Sequence, residues 1–131
     1  MAEIKESGSD CTIVTYDMMV QVSLEAAAVL EKENIHAEVI DIRSLLPLDT
    51  GTIIESVKKT KHVLIVHEAV QFGGFGGEIS GQIADSEAFY YLDTPIKRLG
   101  AKSTPIPFNP TLEADTFPTV DKVVNAVREL L

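Results

Sequence analysis

KHVLIVHEAVQFGGFGGEISGQI, residues 61–83, carries three local instructions in one short piece of chain. Val63, Leu64, Ile65 and Val66 form an unbroken apolar run, short enough for a strand buried on both faces in the middle of a parallel sheet. His67 and Glu68 end the run with polarity. Gly73, Gly74, Gly76 and Gly77 then permit close approaches that a β-carbon would forbid, before Glu78, Ile79 and Ile83 resume at helical spacing. The stretch reads as strand, tight crossing, helix. In open α/β folds such a junction lies at the carboxyl end of a sheet strand, where ligand and partner contacts gather.

Outward from this stretch the same alternation repeats. Cys11 to Thr15 is apolar and β-branched, and Met19, Val22, Ala26, Ala27 and Leu30 mark one face of a helix. Asp17 is placed to cap the start of that helix, and Asn34 tolerates the left-handed conformation of its end. Ala37 to Ile42 reads as a second strand. Asp49, after a turn at Pro47, is the N-cap of a helix whose buried stripe is Ile53, Ile54 and Val57, with Lys58, Lys59 and Lys61 at its far end. Downstream, Phe89 to Leu92 is an aromatic and apolar patch of no definite period, and Pro95 to Leu99 is a fourth strand. Four prolines between Pro105 and Pro118 make Ala101 to Phe117 an extended crossing. Thr119 caps a last helix bearing Val120, Val123, Val124, Val127 and Leu130 on one face. Alternating strands and helices with short connections specify an α/β fold, with a mostly parallel sheet, right-handed crossovers and helices on both faces.

Composition bounds what such a fold does. At 131 residues and 45% hydrophobic content, the chain suits one domain over residues 11–131, preceded by a polar tail over residues 1–10. No apolar stretch is long enough to span a bilayer and the tail lacks a signal peptide's apolar centre, so a soluble intracellular protein is expected. Cys11 is the only cysteine, which excludes an internal disulfide and a cysteine-rich metal site. A net charge of -9 disfavours nucleic acid and anionic membrane and suits a basic partner or plain solubility.

Each candidate site admits more than one reading at this level. The glycine cluster at residues 73–77 lacks the Lys and Ser/Thr of a phosphate-binding loop and the dinucleotide fingerprint, leaving anion binding, close packing or a subunit contact. His67 and Glu68 could pair as acid and base, or simply hydrogen-bond their surroundings. His36 and His62 sit at strand entrances, with no spacing that would join them around a metal. Asp85, Glu87 and Asp93 surround the aromatic patch as an acidic run, of the kind that is usually solvated surface.

Read as ordered blocks, VIDIRSLLPLDTGTIIESVKKTKHVLIVHEA, GGFGGEI and LDTPIKRLGAKSTPIPFNPTLEADTFP, the chain resembles the carboxyl-terminal domain of the beta subunit of thiamine-diphosphate-dependent 2-oxo acid dehydrogenases. The resemblance runs from Cys11 onward and extends, more weakly, to the carboxyl-terminal domain of transketolase. It implies a three-layer α/β/α domain with a five-stranded, mostly parallel sheet in which one strand is antiparallel; the residues alone do not locate the fifth strand. It implies an assembly role within a pyruvate, branched-chain 2-oxo acid or acetoin dehydrogenase, in the bacterial cytoplasm or the mitochondrial matrix. In that family thiamine diphosphate and magnesium are held by the alpha subunit and by the amino-terminal domain of the beta subunit. No catalytic, cofactor-binding or metal residue is therefore expected in this chain, which reads as a domain fragment.

The partners implied are the alpha subunit, a second beta subunit and the peripheral subunit-binding domain of dihydrolipoyl acyltransferase. His67, Glu68, Phe72, Gly73 and Gly74 are the expected subunit interface, an edge that would also let two copies pair as a homodimer. Asp93 stands where the family places an acidic docking residue for the acyltransferase, with Leu131 at the chain's last position as a second contact. The competing reading is a free-standing α/β domain that binds an anionic small molecule at the glycine-rich junction.

Overall fold

The computed structural model describes residues 2–43, 49–70, 75–101 and 117–131. The strands are β1 (Glu3–Glu6), β2 (Cys11–Thr15), β3 (Ala37–Asp41), β4 (Val63–Val70) and β5 (Lys97–Ala101). The helices are α1 (Met19–Glu31), α2 (Thr50–Thr60), α3 (Phe75–Ala84) and α4 (Val120–Leu130), with a 3-10 turn at Glu87–Tyr91. The sheet order is β1-β3-β2-β4-β5. β2 pairs in parallel with both β3 and β4, β4 pairs in parallel with β5, and β1 alone runs antiparallel, against β3.

Handedness explains the layering. The chain leaves β2 toward one edge to make β3, then crosses back over β2 to make β4 and continues in that second direction to β5. Right-handed crossovers taken in opposite directions must put their helices on opposite faces. Accordingly α1 and α4 share one core with Cys11, Ile13, Val39, Leu64 and Val66. The other core gathers Ile53 and Val57 of α2 and Ile79 and Ile83 of α3 around Val14, Ile40, Val63 and Ile65. Alternate residues of β4 thus enter opposite cores, which is why its sequence is a continuous apolar run.

The missing fifth strand is β1, inside the stretch read as a polar tail. Its sequence, EIKE, carries no burial signal because it is an edge strand, mostly exposed, held by pairing Glu3 with Asp41 and Ile4 with Ile40. Its charges suit an edge, where they discourage pairing with another chain. Asp17 is not the cap of α1. The residue before that helix is Met18, which makes no side-chain cap bond, while Asp17 takes a left-handed conformation and its carbonyl accepts the Val20 amide. Aspartate is among the few residues that tolerate that geometry. Asn34, by contrast, is left-handed as expected. Asp49 and Thr119 cap α2 and α4, accepting the amides of Thr52 and Lys122. The fourth strand in the sequence reading starts two residues later than its pattern suggested, at Lys97, and the aromatic patch forms the 3-10 turn.

Two polar networks lie within this apolar frame. The Thr12 hydroxyl on β2 sits 2.7 Å from that of Ser56 and 2.6 Å from that of Thr60, fastening α2 to the sheet. Glu38 on β3 is 1% exposed and accepts from Lys59 Nζ at 2.5 Å and the Gly8 amide at 3.2 Å. Burial works most strongly against its charge, but the Lys59, Ser56 and Gly8 hydrogen bonds outweigh it and hold the carboxyl below its ordinary range.

Candidate functional site

The sequence-selected residues fall at opposite ends of the sheet. His67, Glu68 and the glycine stretch lie at the carboxyl end of the parallel strands. Here β2 and β4 are neighbours whose connections depart in opposite directions, the arrangement that opens a crevice in doubly wound sheets. His67 is fully buried rather than presented at an edge. It shares its face of β4 with Val63 and Ile65, and Gly76, in the first turn of α3, packs on its ring so closely that a β-carbon there would stand 2.5 Å from Nε2. Gly77 is less constrained, its nearest neighbour being the end of a long side chain, Arg98 Nη1, 3.2 Å from where its β-carbon would be. The described half of the glycine cluster is therefore occupied by packing within the chain. Phe72, Gly73 and Gly74 lie outside the described residues.

Charge of both signs gathers at this end, with the Arg98 guanidinium beside Gly77 in the first turn of α3. Tyr16, just beyond β2, has its pKa raised by burial and then by the nearby charges of Asp17 and Glu68. Met18 beside them is exposed. Neither sequence pattern nor motif singled out Tyr16, Asp17 and Met18 as surface residues of this end. Their signal is only their position one to three residues beyond a buried strand.

Asp93 is at the amino end of the same strands. Its amide donates to the Lys61 carbonyl at 3.0 Å, where α2 gives way to β4, and His62 Nδ1 lies 3.0 Å from the Thr94 hydroxyl. The Asp93 amide and the neighbouring Thr94 side chain are thus fastened while the Asp93 carboxylate is exposed, with no hydrogen bond or ion pair among the described residues. Leu131 is 52% exposed. An ion pair between Lys97, which opens β5, and Glu129 brings the end of α4 to this same end of the sheet. The structure therefore gathers Asp93 and Leu131 at one end and separates both from His67 and Glu68.

Beside Asp93 the sequence reading passed over a groove of about 680 Å³, lined by Phe89, Tyr90, Leu92, Asp93, Pro95 and Ile96 among others. Its signal was the aromatic patch within the acidic run. The other histidines do not converge: the His36 amide bonds Asp10, and no cluster of His, Cys, Asp or Glu that could hold a metal occurs among the described residues. No described helix is long and apolar enough to cross a membrane.

A family model for the C-terminal domain of transketolase matches residues 1–123. Among curated proteins, the chain is 47% identical over 131 residues to the mitochondrial pyruvate dehydrogenase E1 component subunit beta of Saccharomyces cerevisiae, covering 99% of this chain and 36% of that protein. It is 46% identical to the pyruvate dehydrogenase E1 component subunit beta of Rickettsia felis, over 98% of this chain and 39% of that protein. Identity to the acetoin:2,6-dichlorophenolindophenol oxidoreductase subunit beta of Bacillus subtilis is 44%, over 99% and 38%. The chain spans between 36% and 39% of the length of these relatives. Among solved structures, a split-gene transketolase described as an inactive beta4 tetramer superposes with a TM-score of 0.86 at 30% identity, covering 100% of this chain and 41% of that one. A transketolase from Pichia stipitis shares the fold at 16% identity and a TM-score of 0.69, over 98% and 18%.

Proposed function

The chain belongs to the transketolase C-terminal domain family, and from that premise we propose that it is the assembly domain of the beta subunit of a thiamine-diphosphate-dependent 2-oxo acid or acetoin dehydrogenase. The observation that carries this reading is identity of 44–47% along essentially the whole chain to beta subunits of such oxidoreductases. Decarboxylation and acyl transfer to the lipoyl acyltransferase are then acts of the parent assembly. Thiamine diphosphate and magnesium are held by its other parts. The relatives come from mitochondria and from bacteria, and a place in the matrix or the bacterial cytoplasm goes with the reading.

The domain's own work is contact. The stretch at the carboxyl end of the sheet, with His67, Glu68, Phe72, Gly73 and Gly74, meets the alpha subunit and a second beta subunit. The amino end, with Asp93 and Leu131, docks the subunit-binding domain of the acyltransferase. An exposed carboxylate on a fastened backbone supports the docking half, because the partner's guanidinium or ammonium group meets a pre-positioned acceptor. The chain's net charge of -9 steers such a basic partner toward it.

Titration of the chain with that subunit-binding domain tests the reading. Asp93→Asn keeps the shape and removes the charge, and we expect it to weaken binding by about 1–3 kcal/mol, the usual loss for one partner of a charge-assisted hydrogen bond. Affinity should also fall with added salt. Unchanged affinity in the variant at low ionic strength removes Asp93 from the docking surface.

An anion-binding domain is the weaker reading. Gly76 is taken up by the His67 ring, and the relatives at 44–47% identity are beta subunits of oxidoreductases.

A further inference from the structure

The groove beside Asp93 has a chemistry that a purely ionic contact leaves unused. Phe89 and Tyr90 are 55% and 86% exposed and pack edge to face, their ring centroids 5.9 Å apart. They cannot turn inward, because the 3-10 turn that carries them is held from both sides. Ser86 caps it through the Ala88 amide, Ala88 is buried in the core, and Lys58 of α2 pairs with Glu87 while lying over the Tyr91 ring. Two aromatic rings are thereby kept in water at the rim of a groove that Leu92, Pro95 and Ile96 make apolar. Exposed aromatics of this kind are the residues that dominate binding at interfaces.

The groove's own lining carries charge of one sign, that of Asp93. Asp85, Glu87 and Asp93 are exposed around the aromatic pair, and none of the residues lining the groove is basic. Glu87 is engaged by Lys58, whereas the Asp85 and Asp93 carboxylates have no ion-pair partner among the described residues. An occupant must therefore be apolar at its tip and cationic at its base.

We infer that this groove receives an apolar side chain of a small basic partner domain, presented next to the arginine or lysine that Asp93 takes, so that docking is a two-point contact. The inference rests on the docking reading given above and adds to it the residues that supply affinity independently of charge. Ionic attraction at an exposed carboxylate is screened by salt, whereas burial of aromatic surface is not. The two points therefore separate by ionic strength.

The experiment is a titration of the full chain with the acyltransferase subunit-binding domain across a salt series, for the unaltered chain and for Asp93→Asn, Phe89→Ser, Tyr90→Ser and Tyr90→Phe. Asp93→Asn should lower affinity at low salt and flatten the salt dependence. Tyr90→Ser and Phe89→Ser should each lower affinity about tenfold at every salt concentration with the slope unchanged, and Tyr90→Phe should bind as the unaltered chain does. Thermal melts check folding; should Phe89→Ser unfold, the more exposed Tyr90 decides. Serine variants that bind normally while Asp93→Asn weakens overturn the groove and leave the docking reading standing. If the unaltered chain fails to bind the domain at any salt, both fall. If the serine variants instead convert a dimer to a monomer in ultracentrifugation with domain binding unchanged, the groove joins copies of this chain and the inference is wrong.

Discussion

Gly76 is the residue where a single hydrogen in place of a methyl group matters most. Its missing β-carbon would meet the His67 ring at 2.5 Å and 2.8 Å, and His67 is fully buried, so the ring cannot withdraw into solvent. We expect Gly76→Ala to lower stability by about 1–3 kcal/mol through overpacking, less the small gain from alanine's helix propensity. Gly81, on the same helix, has no atom within 4 Å of where a β-carbon would stand. There Gly81→Ala should raise stability by about 0.5–1 kcal/mol, and urea denaturation of the two variants checks the contrast. Glu38 is the second decisive residue. Because its folded-state carboxyl titrates below its ordinary value of 4.5, the stability it contributes is present at pH 7 and is lost as pH falls through the folded-state value. Glu38→Gln should cost about 1–2 kcal/mol at pH 7, a figure reduced for the half-exposed Lys59, and the gap to the unaltered chain should close as pH falls through the folded-state value, below 4.5. A gap that stays constant between pH 7 and pH 3 would show that the charge of Glu38 is not what matters.

At the scale of elements, α2 joins the most features. Asp49 starts it by accepting the Thr52 amide and hydroxyl and also accepts the Ala2 amide, so the cap binds the approach to β1 as well. Its buried stripe faces the sheet, and its hydroxyls at Ser56 and Thr60 close on Thr12. Thr12→Val keeps the volume and β-branching but removes the hydroxyl that joins Ser56 to Thr60, while Ser56 keeps Glu38 and Thr60 keeps the His62 carbonyl. The expected loss is about 1 kcal/mol, read from chemical denaturation, and Ser56→Ala in the same background should cost less than it does in the unaltered chain, because the bond to Thr12 is already gone. Full additivity of the two substitutions would argue against a shared network. β1 illustrates the opposite dependence: it has almost no buried surface and exists because β3 offers it an open edge.

For the whole molecule, the two ends of the sheet divide the proposed contacts. One end carries the buried histidine, two carboxylates and the glycine-rich start of α3; the other carries Asp93, the aromatic groove and the end of α4. A domain built this way can hold its sister subunits at one end while a tethered partner docks at the other. In the proposed reading the groups that activate thiamine diphosphate belong to other segments of the parent. Calorimetry of this chain with thiamine diphosphate and magnesium should therefore show no binding heat; a micromolar dissociation constant would refute that division of labour. If the carboxyl end is a subunit surface, the chain should self-associate at high concentration, and Met18→Asp, at an exposed site of that end, should shift it toward monomer in sedimentation.

The alternation of elements, the doubly buried strand at Val63–Val66 and the caps at Asp49 and Thr119 were determined by the sequence alone, since hydrophobic period and capping act over a few residues. Asp93 and Leu131 were marked by resemblance, and the groove beside them only by an unexplained aromatic patch. What tertiary structure decided was everything that depends on partners far along the chain. A polar EIKE becomes a strand because β3 is available to pair with it. His67, whose polarity reads as the end of the apolar run, goes inside because β4 continues through it to Val70 and α3 offers a glycine over its ring. Phe89 and Tyr90 stay outside because Lys58, from another element, holds their turn. Asp93 and Leu131 share an end because burial of Val123, Val127 and Leu130 against the sheet returns the last helix to the start of the last strand, where Lys97 meets Glu129, a convergence that no local pattern encodes.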